Sequence, residues 1–482
     1  MAKQDGYIII DIGTGNVRVA VAAVTGELLS VAREDLQYSK EERNADALYF
    51  EPDTLWQQVR SLARKALAEA AGVHILAITA TSQREGIVLI GDQGRSVIGL
   101  PNIDFRGRAW ENDITAKNEV YQLTGRYPSA LFSALKIVGI RNSRPEIWKE
   151  LSSFMSISDW VEYKLSGVLH YEHSQASETL LYDVENMCWS DKLCAVFGIA
   201  QGLLPVLTVS GTVLGNILPE EAIAFGVSAE ARIIVGGADT QLAVTGTAPL
   251  ENDIVIVSGT TTPVIKLAAD YITDSRQRLW TNRHTDGLSF IIEANAGVTG
   301  LNYQRLKGIF YPNEDYAVME KELNALTDFQ CMASLGSVVA GEKGAPVRGG
   351  FIFDAPVSQT LTRAGFVWAI LWDIACSIYE NYKVLTEVTP HDQDYLWACG
   401  GGLQSAVFRQ FIANLTGKMV NVRHSYQQAS AMGGVSICNA ALGIQEVAME
   451  TLESVSPKDN IAHHELYEEW KKTRLYFKGA GH

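Results

Sequence analysis

Two stretches of this chain are built to one pattern. "IIIDIGTGNVRVAV" (8–21) can be laid on "IVIVSGTTTPVIKL" (254–267) so that Gly13 falls on Gly259 and Thr14 on Thr260. Each is an apolar strand, a Gly-Thr turn and a second strand, and helices and further strands follow each copy. Solenoid repeats recur every ~20–50 residues, so a repeat this widely spaced argues for a duplicated α/β domain. At 482 residues the chain is also too long for one compact core. The segment "PLEN" (249–252) is the natural boundary, giving domains 1–248 and 249–482 with a cleft between them.

The first domain opens β-β-β-α-β. "YIIID", "VRVAVAAV" and "TGELLSVA" supply three strands. Pro52 starts a helix with Leu55, Val59, Leu62, Ala66 and Leu67 on one face, and "ILAITATS" is a buried strand. Two Gly-Thr turns facing each other across a cleft could hold an anion, because glycine admits a phosphate to the backbone and threonine adds a hydroxyl. Asp11, at the end of the first strand, could hold a hydrated Mg²⁺; the second copy has Val257 there. Taken singly, each turn is also an ordinary hairpin.

Three further segments carry chemistry. "YLWACGGGLQSAVFRQFIANLTG" is a strand, the glycines Gly400, Gly401 and Gly402, and a helix, a layout suited to a nucleotide or other anion. It fits neither a dinucleotide fingerprint, since Ser405 stands at the sixth position, nor a P-loop, whose sequence is absent. In "RIIVGGADTQLAVTG" a strand runs through Gly236-Gly237 into a helix begun by Asp239, which is either a helix cap or a general base. In "TATSQREGIVLI" the polar residues Gln83, Arg84 and Glu85 follow a buried strand, where α/β folds place ligand contacts, and "NIDFRGR" adds Asn102, Asp104 and Arg106.

The net charge of −15 argues against a nucleic-acid partner. No apolar run of membrane-spanning length and no signal-peptide pattern is present in the sequence, so a cytoplasmic protein is expected. The six cysteines lack any C-x-x-C and are expected to be reduced and mostly buried. His170 and His173 in "HYEHS" could pair on a metal, but without supporting ligands nearby they are read as surface histidines.

Taken in this order, the motifs resemble the FGGY family of carbohydrate kinases, across nearly the whole chain. "DIGTGNVR" and "SGTTTPV" look like that family's two phosphate loops, and "GGADTQLAVTG" like its catalytic segment. "GGGLQSAVFRQFIANLTGKMV" looks like its adenosine segment, and "TRAGFVWAILWDIACSIYEN" like its late signature helix. "SQREG" is close to the Gln-Arg-Glu of glycerol kinases and the Met-Arg-Glu-Gly of autoinducer-2 kinases, whereas xylulokinases usually carry Met-His. "NIDFRGR", "ENDITAKNEVYQLTG" and "SISDWVEYKLSG" are most similar to autoinducer-2 kinases. The chain departs from the family in having Trp372 where a Glu is common, a weak "GEKGAP" echo of Gly-Glu-Arg-x-Pro, and a short stretch over 305–350.

The resemblance implies two actin-like ATPase (ribonuclease H-like) domains flanking a cleft. It implies ATP-dependent phosphorylation of a hydroxyl on a small sugar or polyol-like substrate, such as a pentulose or the autoinducer-2 precursor dione. Asp239 would be the catalytic base, and Asp11 would position Mg²⁺. Gly13, Thr14, Gly15, Asn16, Arg18, Gly259, Thr260 and Thr261 would hold phosphates, with Gly300, Gly400, Gly401, Gly402 and Ser405 around the adenosine. Gln83, Arg84, Glu85, Asn102, Asp104 and Arg106 would contact the acceptor. Homodimers occur in such a family. A non-enzymatic actin-fold ATP switch and a dinucleotide oxidoreductase remain the rival readings.

Overall fold

The structure is a computed structural model that describes residues 4–42, 44–342, 348–445, 450–458 and 461–479. The "GEKGAP" segment lies largely outside the described residues. Two mixed sheets carry the fold. In the first the strand order is Leu28–Asp35, Asn16–Ala23, Gln4–Ile12, Val73–Ser82, Arg232–Ala238, Val213–Asn216. In the second it is Phe290–Val298, Thr261–Ala268, Ile254–Val257, Tyr395–Cys399, Met419–Arg423, Thr451–Val455, with Trp280–Arg283 added at the Phe290 edge. Pairing directions match strand for strand: antiparallel, antiparallel, parallel, parallel, antiparallel. The duplication seen in two short segments therefore extends through both sheets.

The central strands are apolar along their length because both faces are covered. Ile8, Ile9, Ile10 and Ile12 are fully buried, as are Ile254, Val255 and Ile256. The helix Pro52–Glu69 buries Leu55, Val59, Leu62 and Ala66 as its spacing requires, with Leu67 at the edge of that face. In the second lobe the 26-residue helix Arg363–Val388 is the core element. Trp372 is fully buried there, stacked on Trp368 at 5.6 Å and edge-on to Phe411 at 5.2 Å between ring centres, so the exceptional residue serves packing.

Two helices join the lobes. Asp239–Thr247 follows the first sheet and Ala429–Leu442 follows the second, and they cross in backbone contact. A Cβ on Gly246 would lie 2.0 Å from the Ala429 carbonyl oxygen, and one on Gly433 would lie 2.0 Å from that of Leu242. Glycine at both positions permits the crossing. A third, three-stranded sheet (Ser96–Leu100, Ile87–Gly91, Leu151–Ser156) and the helix Ser133–Ser143 form a cap on the first lobe.

All six cysteines are unpaired; five are buried and Cys188 is exposed. The histidines of "HYEHS" are not on the surface. His170 is 1% exposed and His173 is 7% exposed, because His170 contacts Glu162 and Asp159 while His173 contacts the Tyr182 hydroxyl. Among the described residues no helix is long and apolar enough to cross a membrane.

Candidate active site

Each Gly-Thr turn is closed by its own first glycine, the second turn one residue tighter than the first. Gly13 N–H donates to the Asn16 carbonyl at 3.0 Å, and Gly259 N–H donates to the Thr261 carbonyl at 3.0 Å. Both line one cavity of about 490 Å³, which also exposes Asp11, Asn16, Arg18, Arg84, Glu85, Asn102, Asp239, Gly400 and Gly401. A volume in this range suits a cofactor-sized ligand. Ser430, Gln427, Asn295 and Trp280 line it too, and none of these four stood out in the sequence.

The first hairpin is held from behind. Gln83 Nε2 donates to the Gly13 carbonyl, Gln83 Oε1 accepts from Asn102 N–H at 2.8 Å, and the Asn102 amide bonds the Thr14 hydroxyl at 2.9 Å. The Tyr38 hydroxyl donates to the Thr14 carbonyl at 2.7 Å. Gln83 is 1% exposed and does not reach the cavity; it fixes the turn's backbone. Asp11 Oδ2 accepts from Arg18 at 2.6 Å and from the Ser430 hydroxyl, on the other lobe's helix, at 2.9 Å. Arg18 therefore neutralises Asp11 directly. Asp11 Oδ1 is buried without a partner, which leaves one carboxylate oxygen free for a cation.

Asp239 occupies the first turn of its helix, next to Ala238 at the cap position, and its Oδ1 accepts from the Thr240 N–H at 2.6 Å. Burial pushes its carboxyl up to about 6; the Arg84 charge pulls against that and the Asp11 charge adds to it. Burial works against the Arg84 guanidinium, yet Glu293 and Glu178 hold it well above its ordinary range. Arg84 Nη2 donates to Glu293 Oε1 at 2.9 Å, and Nη1 donates to the other oxygen, a bidentate pair between the two lobes. Glu85 sits beside it with φ of 61°. Burial and then the Glu178 charge push the Glu85 carboxyl up to about 8.

Several expected contacts lie elsewhere. Asp104 and Arg106 do not line the cavity. Asp104 accepts from Arg106 Nε at 2.8 Å and Leu48 N–H at 2.9 Å, and Arg106 continues to Glu41 at 2.8 Å. Buried together, they satisfy one another and pin the hairpin of 39–49 to the loop after Leu100. Ser405 caps its own helix through Phe408 N–H at 3.2 Å and is buried. Gly300 and Gly402 support the second hairpin: a Cβ on Gly300 would lie 2.0 Å from the Gly259 oxygen, and one on Gly402 would lie 2.2 Å from Ser258 Oγ. Gly15 also lies off the cavity, its carbonyl accepting from Leu36 N–H at 3.1 Å. Gly400, at φ of 102°, and Gly401, with open space around it, remain as the bare wall.

The N-terminal domain of the FGGY family of carbohydrate kinases matches residues 6–246, and its C-terminal domain matches residues 344–442. A Bacillus subtilis (strain 168) protein, YoaC, whose name carries a provisional sugar-kinase designation, is 51% identical over 482 residues. The match covers 100% of this chain and 99% of that protein. This chain belongs to the FGGY family of carbohydrate kinases. An autoinducer-2 kinase of Escherichia coli (strain K12 / DH10B) is 26% identical, covering 97% of this chain and 93% of that one. Among solved structures, a ligand-bound xylulose kinase from Lactobacillus acidophilus aligns with a TM-score of 0.81 at 16% identity, covering 99% and 98% of the two chains. A Plasmodium falciparum glycerol kinase with ADP aligns at 0.82 and 18% identity, covering 98% of each. These likenesses establish the two-lobed α/β kinase fold. The chain is a carbohydrate kinase, a family that uses ATP, and neither a non-enzymatic switch nor a dinucleotide oxidoreductase.

Proposed function

We propose that this carbohydrate kinase transfers the γ-phosphoryl group of ATP to a hydroxyl of a small, uncharged polyol-like acceptor, with Asp239 as the base. The observation that carries this is the meeting of both hairpins and Asp239 in one cavity. Residues 1–248 are the lobe that carries the base and one side of the acceptor end, and 249–482 the nucleotide lobe, whose Trp280 and Asn295 complete the acceptor end. The hairpin amides and the Thr14 and Thr260 hydroxyls hold phosphate oxygens, and Gly400 and Gly401 let the nucleotide lie flat against the second lobe. The free Asp11 Oδ1 is the atom suited to Mg²⁺, directly or through water; bound there, the ion would neutralise charge on the phosphates. Asp239 Oδ2 accepts the acceptor's hydroxyl proton as its oxygen attacks phosphorus. In phosphoryl transfer the protein mainly positions groups and neutralises charge, so one base and two cradles suffice.

The acceptor end supports an uncharged substrate. Glu85 and Asn295 offer hydrogen-bonding atoms, and Trp280 and Leu131 offer apolar walls. The Arg84 charge is already balanced by Glu293, and Arg18 by Asp11, so neither lining arginine is an uncommitted cation for an acidic sugar. Pentuloses and the autoinducer-2 precursor dione fit this chemistry. An ADP-release assay with ATP over pentuloses, polyols, aldonates and the dione tests the reading: a neutral member should raise turnover well above background. Acceptor-dependent release with aldonates alone would refute the uncharged-substrate assignment, and no acceptor-dependent release at all would refute the reaction.

A further inference from the structure

The buried group Asp159, Glu162 and His170 stands outside the cavity, yet it reaches the strand that delivers Asp239. That strand, Arg232–Ala238, pairs regularly with Val73–Ser82 as far as Ile234, slips, and resumes at Gly237. At the slip the ladder offers no partner to the Gly236 N–H. Glu162 Oε1 accepts from it at 2.8 Å, and accepts from Ala80 N–H on the neighbouring strand at 3.1 Å. The other carboxylate oxygen lies 3.0 Å from His170 Nε2, and His170 Nδ1 lies 3.1 Å from the Val168 carbonyl. Both ring nitrogens thus face acceptors, the arrangement of an imidazolium. Burial alone would lower its pKa, but the Glu162 hydrogen bond and the Asp159 charge carry it up to about 9.

Two residues further on, Ala238 N–H donates to Ser174 Oγ at 3.0 Å, and that hydroxyl donates to Glu172. Gly236 has no room for a side chain, since a Cβ would lie 1.9 Å from the Ala80 oxygen. The ligating atoms of Asp159, Glu162 and His170 lie within 4.8 Å of one another, a spacing that would also admit a metal. The donors already present on both Glu162 oxygens favour a hydrogen-bonded brace.

We propose that Glu162, oriented by His170, is a positioning residue for Asp239: it replaces the ladder bond missing at Gly236 and so sets where the base enters the cavity. The inference rests on Asp239 acting as the base. Leaving the Gly236 N–H unpaired in a dry interior would favour local rearrangement of the strand end. A displacement of about 1 Å at a reacting group costs on the order of 10²-fold in turnover.

The test uses the full-length enzyme, ATP and an active neutral acceptor. The variants are Glu162→Leu, Glu162→Gln, His170→Leu and His170→Gln, each alone and combined with Asp239→Asn. The leucine variants should lose about 10- to 10²-fold in kcat with both KM values nearly unchanged. The glutamine variants, which keep an acceptor at 162 or a donor at 170, should recover most of that. Combined with Asp239→Asn, the leucine changes should add almost no further loss, because residues acting as one unit are not additive. Folded leucine variants with wild-type kcat, or losses that persist in full beside Asp239→Asn, would overturn the proposal. Should Glu162→Leu not fold, the His170 pair carries the test, since it keeps the Glu162 carboxylate and removes only the ring that orients it.

An enzyme inert to every acceptor would defeat the kinase reading alone. The brace is then judged by amide exchange over 232–238, which His170→Leu should accelerate severalfold; unchanged exchange would overturn it.

Discussion

The two lobes share one topology and differ in what they hang on it. After the strand Val73–Ser82 the first lobe places Arg84 and Glu85; after its counterpart Tyr395–Cys399 the second lobe places Gly400 and Gly401. At the start of the joining helix the first lobe has Asp239, and the second has Ala429 and Ser430. The first hairpin carries Asp11 where the second has Val257. One copy of the duplicated fold thus holds the charged chemistry, and the other offers bare backbone and hydroxyls. A nucleotide needs close approach to backbone N–H groups, which glycine permits. A hydroxyl acceptor needs an oriented base and hydrogen-bonding partners, which only side chains supply.

The largest test of that asymmetry is its base. Asp239→Asn should retain the fold and lower kcat by ~10²–10⁴, the usual span for general-base catalysis. Steady-state rates with the active acceptor measure this, and turnover within a few-fold of wild type would move the base elsewhere. Next is the hairpin itself. Asp11→Val gives the first loop the residue of the second and should reduce kcat/KM for ATP by about 10²-fold, the loss typical of one charge-stabilising group. It should also weaken the response to added Mg²⁺. If both remain at wild-type levels, the difference between the hairpins has no catalytic meaning.

A smaller effect is expected where glycine serves only close approach. Gly300→Ala must displace the Gly259 carbonyl, whereas at Gly13 the nearest atom to an added Cβ is 3.6 Å away. Gly300→Ala should therefore lose about 1–3 kcal/mol of stability, the range for overpacking, and raise KM for ATP while the acceptor KM holds. Gly13→Ala should keep its Tm and disturb only phosphate binding. Thermal melts with paired KM measurements separate the two, and equal Tm values for both would mean the second hairpin is not wedged against residue 300.

How much of this was legible in the sequence follows from the range of the interactions. The hairpins were, because residues 13–16 and 259–261 close their own turns. The place of Asp239 at the cavity was, because a strand, two glycines and an aspartate are contiguous. Arg84 was found, but Glu293 and Glu178, which hold it, were not; each is a single carboxylate with no local pattern, brought in from distant segments. Asp104 and Arg106 pointed to a ligand site because polar residues in an apolar setting need partners, and their spacing does not reveal that they are each other's. His170 was misplaced at the surface for the same reason: its partner Glu162 is on the preceding helix, and only the folded chain turns that helix beneath the strand leading to Asp239.

The smallest effect bears on why the base belongs to a dry cleft. The Asp239 carboxyl titrates near 6 in the folded protein against an ordinary value of 3.8. The folded state thus holds that proton more tightly, so this group's contribution to stability is complete below about 3.8 and is lost as pH rises through about 6. Above that, the folded chain carries a buried carboxylate at a cost, and Asp239→Asn carries none. The variant should be more stable than wild type by about 1–3 kcal/mol at pH 8, with the gap closing between pH 6 and pH 4. Ser430→Ala, in the first turn of the other lobe's joining helix, removes no ionisable group, so its difference from wild type should lack the titration near pH 6. Denaturant melts across pH 4–8 read both variants. A pH-independent gap for Asp239→Asn would mean that its carboxyl is as well solvated as a surface aspartate, and that the chemical difference between the two joining helices does not depend on excluding water.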